Sequence, residues 1–376
     1  MRLLGIFPRE TDGDTDRSGK LPSISLELMY QIEARRLVGP VVSVEKLLMM
    51  FEYYAEMAKR LKEGSPRLVN PDFAVIFVRG ITPLKIPPFS DAQFAQLPLS
   101  DLHVLDLRKS IDDQRHAIRV DFANAIVGGA ALAQGCVQEE IIMFAECPDM
   151  NCARWLNPQL KVNEALLMLR TERFSDHAGY GHSLIYQGPH ADADTDVLTS
   201  AVIAVDAMDF RVTNPALQYR SDVVMRDFYK LCAAMDALET ARRVYNVMLP
   251  PVVCTSNWGA GIFRGDAELK SLIQRLVFSV YGLRTIYCPF DNAALQQLLK
   301  DFSICCAARK QKITCGELGT FLTVVLPTVY RGRRGPGVVA LAARHFGLTL
   351  SMAGNSLNAP IRMPWNDAFE QFGAKV

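Results

Sequence analysis

Apolar residues recur every three to four positions from Val44 to Lys62. Val44, Leu47, Leu48, Phe51, Ala55, Ala58 and Leu61 share one helical face there. That period predicts an amphipathic helix. Ser43 can cap its start and Gly64 can stop it. FAVIFV at Phe73–Val78 is instead a continuous apolar run of strand length. A Pro-containing loop from Pro83 to Pro98 then separates an accessory helical layer from the main domain. Beyond it strand and helix signals alternate. Strands are predicted at Leu102–Leu107, Ala117–Asp121, Ser200–Val205, Pro251–Thr255 and Thr285–Phe290. Helices are predicted from Gln138 to the Cys147-Pro148 step, over Asp222–Leu238 and over Asp266–Tyr281. This order predicts an α/β domain with helices on both faces of a mixed sheet.

The segments outside this pattern are polar. Residues 9–20 (RETDGDTDRSGK) form a polar lead-in, and helical character begins near Ile24. Near the other end, Arg331-Gly332-Arg333-Arg334-Gly335 reads as a solvated basic loop. No apolar run reaches the roughly 18 residues of a membrane span. Leu3 to Phe7, interrupted by Gly5 and ended by Pro8, is too short for a signal peptide.

Composition narrows the partners. The chain has 376 residues, with 41 Lys and Arg against 40 Asp and Glu, a net charge of +1. Such balance argues against attachment to nucleic acid or anionic membrane by bulk charge. Nine cysteines, an odd number and mostly in apolar surroundings, predict free thiols in a reducing, intracellular compartment. Cys147 with Cys152, and Cys305 with Cys306, lack partner pairs at zinc-site spacing.

Three stretches can carry chemistry. In VDFANAIVGGAALAQGCVQEE (Val120–Glu140), a strand ends at Asp121, Asn124 follows, and Gly128-Gly129 allow positive φ or close approach of a ligand. Gln138, Glu139 and Glu140 fall at a helix start. The acids can simply complement the helix dipole. They can equally face a glycine-lined cleft as a catalytic pair, one protonated and one orienting a sugar. In TSNWGAGIFRGDAELK (Thr255–Lys270), Gly259, Gly261 and Gly265 lie between a strand and a helix. Their spacing fits neither the dinucleotide fingerprint nor a P-loop, which leaves a structural turn or a phosphate cradle. In FSDHAGYGHSLIY (Phe174–Tyr186), Tyr180 either packs or stacks on a base. His177, His182 and His190, with Asp192 and Asp194, have a metal-like composition but no helix-borne ligand spacing. There is no G-x-S-x-G elbow.

Together and in this order, these stretches resemble the catalytic domain of the poly(ADP-ribose) glycohydrolase family, long eukaryotic type. The resemblance rests on VDFAN (Val120–Asn124), a glycine loop, a short spacer and QEE (Gln138–Glu140). It continues through Gly179-Tyr180, NWGxGxFxGD at Asn257–Asp266 and a strand ending in Phe290, and covers roughly residues 40 to 325. VEKLLMMFEYY (Val44–Tyr54) and DLHV (Asp101–Val104) also fit.

The resemblance implies a macrodomain-like mixed sheet between helical layers. Residues 1–70 would form the N-terminal lead-in and helical accessory region. Residues 71–376 would form the catalytic macrodomain with a C-terminal helical tail. It implies hydrolysis of ribose–ribose O-glycosidic bonds in poly(ADP-ribose), with ADP-ribose released. Glu140 would be the general acid. Glu139 would hold ribose hydroxyls, supported by Gln138 and Asn124, and Asp121 would be the acid ahead of the loop of Gly128 and Gly129. Asn257, Gly259, Gly261, Ile262 and Phe263 would form the diphosphate loop, with Phe263 near the distal ribose. Tyr180 and Phe290 would flank adenine, and Ile111-Asp112 would meet its edge, with Asp for the family's usual Glu.

Implied partners are poly(ADP-ribose) or ADP-ribosylated proteins, in the DNA damage response. No cofactor, metal, direct nucleic-acid contact or membrane is implied. The chain would act as a monomer in cytoplasm or nucleus, without the N-terminal extension of the large members. Ala130 replaces the third signature glycine, and His177 stands where the family often has Tyr. An alternative therefore stands beside the enzyme: a macrodomain that binds ADP-ribose or its polymer with little turnover.

Overall fold

The computed structural model describes residues 3–6, 42–83, 88–132, 137–156, 159–191, 200–330 and 335–351. The polar lead-in, the helix expected near Ile24, Asp192, Asp194 and the arginines of the basic loop lie outside them. Ten strands are described: β1 (Leu3–Ile6), β2 (Val75–Ile81), β3 (Leu102–Val104), β4 (Ile118–Asp121), β5 (Glu164–Leu169), β6 (Ser175–Ala178), β7 (Ile185–Pro189), β8 (Ala201–Ala204), β9 (Val252–Thr255) and β10 (Arg284–Tyr287). The longer helices are α1 (Val42–Glu63), α2 (Glu139–Glu146), α3 (Ser221–Tyr245), α4 (Ala267–Val280), α5 (Ala293–Ala308) and α6 (Val338–His345). The longer helices follow β1, β4, β8, β9 and β10, whereas β2 to β4 and β5 to β8 succeed one another without one, so the expected alternation holds only in part.

Compactness divides the chain into two units that run across the sequence. The first comprises residues 1–81, 121–206 and 236–249. Its strand order is β1-β2-β5-β8. β1 and β2 are parallel, with Leu3 opposite Val75. β2 and β5 are antiparallel, with Phe77 opposite Met168, as are β5 and β8, with Leu167 opposite Ile203. β8 (AVIA) is apolar throughout and β5 (EALLML) is apolar after Glu164, and both are buried along their full length, with Glu164 paired to the buried Arg79 of β2. A separate hairpin pairs β6 with β7. Around it, Val42 and Met49 of α1 pack with Val137, Ile141, Ile142, Ala145 and Leu184.

α1 confirms the helix but not its expected face. Val42, Lys46, Leu47, Met49 and Met50 are buried. Of the expected stripe only Leu47 is buried, while Leu48, Phe51 and Leu61 are exposed. The chain carries two apolar rows here, and packing selects the one through Lys46 and Met49. Ser43 lies inside the helix and is buried, so it does not cap the start. Gly64 does end the helix, with φ of +65° and Ser65 N–H donating to Arg60 O at 2.9 Å.

The second unit comprises residues 82–120, 207–235 and 250–376. Its strand order is β4-β9-β10-β3, all parallel. Asp266 caps α4 by accepting from Leu269 N–H at 3.0 Å, and every residue of that helix is buried. β3 and β10 end earlier than the sequence runs suggested, at Val104 and Tyr287. At the second of these, Phe290 and Asp291 both adopt positive φ, +48° and +54°, which no strand can continue.

Candidate functional site

In the first unit, Asp121, the last residue of β4, is fully buried, and its carbonyl accepts from Val205 N–H at 3.1 Å. The chain then turns through Asn124, whose Oδ1 accepts from Ile126 N–H at 3.0 Å. Gly128 and Gly129 follow with φ of +85° and +39°. These glycines are required by contact as well as by φ. A Cβ on Gly128 would lie 2.8 Å from the Phe144 ring, and one on Gly129 would lie 2.8 Å from Glu140 Oε2. Ala130 is not among the residues with positive φ, so its side chain carries no left-handed strain.

Gln138 is the N-cap of α2, which makes Glu139 and Glu140 its first two residues. Both are buried. Glu140 gathers the glycine loop: Oε1 accepts from Gly128 N–H at 2.6 Å and Oε2 from Asn124 N–H at 3.0 Å. Burial pushes its pKa up to about 8, and Asp206 beyond β8 pushes the same way. The two amides and the Arg154 guanidinium oppose this without overcoming it. A carboxyl that is neutral at pH 7 and fixed by two donors is a proton source, since each oxygen keeps a second lone pair.

Further groups hold the loop. Arg154 Nη1 donates to Gly129 O at 3.1 Å, and the buried Lys46 Nζ donates to Ala130 O at 3.2 Å. Neither had been singled out from the sequence, nor had Asp206. Asp206 did leave a signal, because like Asp121 it closes an apolar strand in an α/β chain, where sites form. Tyr180 packs partly buried against the α1–α2 cluster. His177 Nδ1 and His190 Nδ1 each lie 2.7 Å from a carboxylate, of Glu146 and Asp176 respectively. Among the described residues no group of three His, Cys, Asp or Glu can hold a metal ion.

In the second unit, Ile111 and Asp112 are buried, and Asp112 faces the buried Arg119 at 3.7 Å. The side chain of Asn257 is committed within the protein. It donates to Pro289 O at 3.1 Å and accepts from Tyr287 Oη at 3.0 Å, which ties the loop after β9 to the turn bearing Phe290. Gly259 has φ of +66°, and a Cβ there would lie 2.4 Å from Ala207 Cβ. Gly265 N–H donates to Gly259 O at 2.9 Å and closes the loop. Beneath it, Lys270 pairs with Asp227 and stands 4.5 Å from the Trp258 ring centre. Gly261, Ile262 and Phe263 are half-buried along the loop. The amides of Gly259, Gly261, Ile262 and Phe263 meet no acceptor among the described residues, which leaves a row of donors suited to an anion.

Alternating elements around buried parallel strands, a glycine loop and paired acids at a helix start together define a macro domain fold. Residues 89–297 match the family model of the poly(ADP-ribose) glycohydrolase catalytic domain, macro domain fold, and the chain belongs to that family. It is 30% identical over 296 residues to a probable poly(ADP-ribose) glycohydrolase 2 of Arabidopsis thaliana, covering 66% of this chain and 54% of that protein. It is 29% identical over 294 residues to poly(ADP-ribose) glycohydrolase 1 of Caenorhabditis elegans, covering 74% of this chain and 35% of that protein. The chain thus spans about half or less of the length of these two relatives. Among solved structures, poly(ADP-ribose) glycohydrolase from Thermomonospora curvata aligns with a TM-score of 0.40 at 12% identity. That alignment covers 67% of this chain and 96% of the other.

Proposed function

We propose that this chain hydrolyses ribose–ribose O-glycosidic bonds in poly(ADP-ribose) and releases ADP-ribose, with Glu140 as general acid. The observation that carries the reading is the Glu140 carboxyl, buried and held by the amides of Gly128 and Asn124, where burial pushes its pKa up and so favours the acid form. It sits at the QEE position of a family whose named members are poly(ADP-ribose) glycohydrolases. Glu140 gives its proton to the leaving ribose oxygen as the glycosidic bond breaks. The carboxylate so formed stabilises the oxocarbenium-like centre and then takes a proton from the attacking water. Glu139 holds the ribose hydroxyls with Gln138 and Asn124, while Asp121 maintains the loop.

Distant contacts supply orientation. Gly259, Gly261, Ile262 and Phe263 hold the diphosphate through backbone amides, and Asn257 fixes their loop. Tyr180, Phe290, Ile111 and Asp112 serve the adenine. Ala130, which prompted the binding-only alternative, is outside the positive-φ region, so no left-handed strain at that position argues for a reader over an enzyme. The substrates would be ADP-ribosylated proteins inside the cell, in cytoplasm or nucleus, with the chain acting as a monomer in the response to DNA damage. Eight described cysteines are free thiols, which suits a reducing compartment. No described helix is long and apolar enough to cross a membrane.

The test is hydrolysis of labelled polymer by the wild type and by Glu140→Gln. The wild type should release ADP-ribose. The variant should lose that activity by at least about a hundredfold, because no proton donor remains, and should still bind ADP-ribose. Unchanged turnover in the variant would remove Glu140 from its role.

A further inference from the structure

We propose that Arg264, assisted by Arg211, binds the diphosphate of ADP-ribose through side-chain charge beside the amide groups of residues 259–263. The inference rests on reading that loop as the diphosphate site, and adds a cationic wall to it. Arg264 follows Phe263 directly and adopts φ of +58°, a conformation far better suited to glycine. The fold at this point therefore gives no reason for arginine. Its side chain is exposed and has no ion-pair partner among the described residues.

Arg211 approaches the same place from another segment. Its guanidinium lies 5.3 Å from the Phe263 ring centre, and Phe210 N–H donates to Phe263 O at 2.9 Å. Asp209 grips Arg211 with both oxygens, through bonds of 3.0 Å from Nε and 2.6 Å from Nη2. Burial pushes the Asp209 carboxyl up, but Arg211 and then the charge of Arg264 hold it below its usual range. Both arginines thus lie near one carboxylate, and the cluster keeps one positive charge in excess. Four amides without acceptors open beside that charge. A diphosphate supplies the missing anion and enough acceptors for both sets of donors, and arginine forks suit its oxygens.

The experiment measures binding of ADP-ribose, inorganic pyrophosphate and adenosine to the full chain by calorimetry at several salt concentrations. Arg264→Gly removes the charge while relaxing the backbone, and Arg264→Lys keeps the charge. The glycine variant should bind ADP-ribose and pyrophosphate about five- to tenfold more weakly, as loss of one charged contact predicts. Its slope of log affinity against log salt should fall by about one. Adenosine binding should be unaffected, and lysine should restore most of the loss. Unchanged affinity and slope in Arg264→Gly would overturn the proposal. So would an equal loss for adenosine, or a lysine variant as weak as the glycine one. If the function itself is misread, the wild type will neither bind ADP-ribose nor cleave polymer, which is a different result.

Discussion

Glu140 accepts two amide hydrogen bonds, and Arg154 adds its charge, yet burial and Asp206 keep its pKa near 8. The sign of the pH effect follows. A carboxyl whose folded value lies above its unfolded one binds its proton more tightly in the native state. Its contribution to stability is full below the unfolded value near 4.5 and is lost as pH rises through about 8. The acid form, and with it kcat, should fall over the same upper range. Arg154→Gln removes the one cation found to oppose that rise, and the donor to Gly129 O at 3.1 Å. The expected result is a lower maximal kcat, because the loop slackens, with its alkaline limb moved up by about 0.5–1 pH unit. A merely structural role would lower kcat without moving the limb, so a pH–rate profile separates the two. Glu140 was legible in sequence because its loop lies only 12 to 16 residues upstream. Lys46 reaches Ala130 across 84 residues, and no spacing rule records such a contact.

Elements were most legible where burial is complete. β8 and β9 are continuous apolar runs, and α4 carries its own cap, so each stands within a residue or two of its sequence assignment. The β6–β7 hairpin was not legible. SDHA and IYQGP are short, half-polar strands, and a register shift between Asp176 and His177 breaks their alternation. α1 shows a subtler failure, since its period is clear but two faces satisfy it. Lys46 is the reason, because a buried lysine satisfied by the Ala130 carbonyl occupies the row that a charge would seem to exclude. The two faces separate by mutation. Met49→Ala, at a site with no exposure, should cost about 2–4 kcal/mol. Phe51→Ser, on the row expected from the sequence but 61% exposed, should stay within about 0.5 kcal/mol. Thermal or denaturant unfolding of the two variants checks the assignment, and equal losses would contradict it.

At the scale of the whole molecule, 41 basic residues against 40 acidic ones meet a proposed substrate that carries two phosphates in every unit. Bulk charge cannot supply the affinity, so recognition must be local. The loop at 259–263 offers backbone amides, which are dipoles rather than ions. Among the cations beside it, Arg211 is already paired with Asp209, which leaves about one net charge for the substrate. Each phosphate neutralised by a side chain adds about one to the slope of log affinity against log salt. The slope of log kcat/KM against log salt for polymer should therefore lie between about −1 and −2. Tracking along the chain would need several cations at once, and the basic run of Arg331, Arg333 and Arg334 is one candidate supply. Changing all three to Gln should leave the slope within about 0.5 of the wild type if a single unit is gripped, because none then neutralises a phosphate. A wild-type slope steeper than about −4 that collapses in this triple variant would mean the polymer is held along its length, and that the near-neutral sum conceals a basic track.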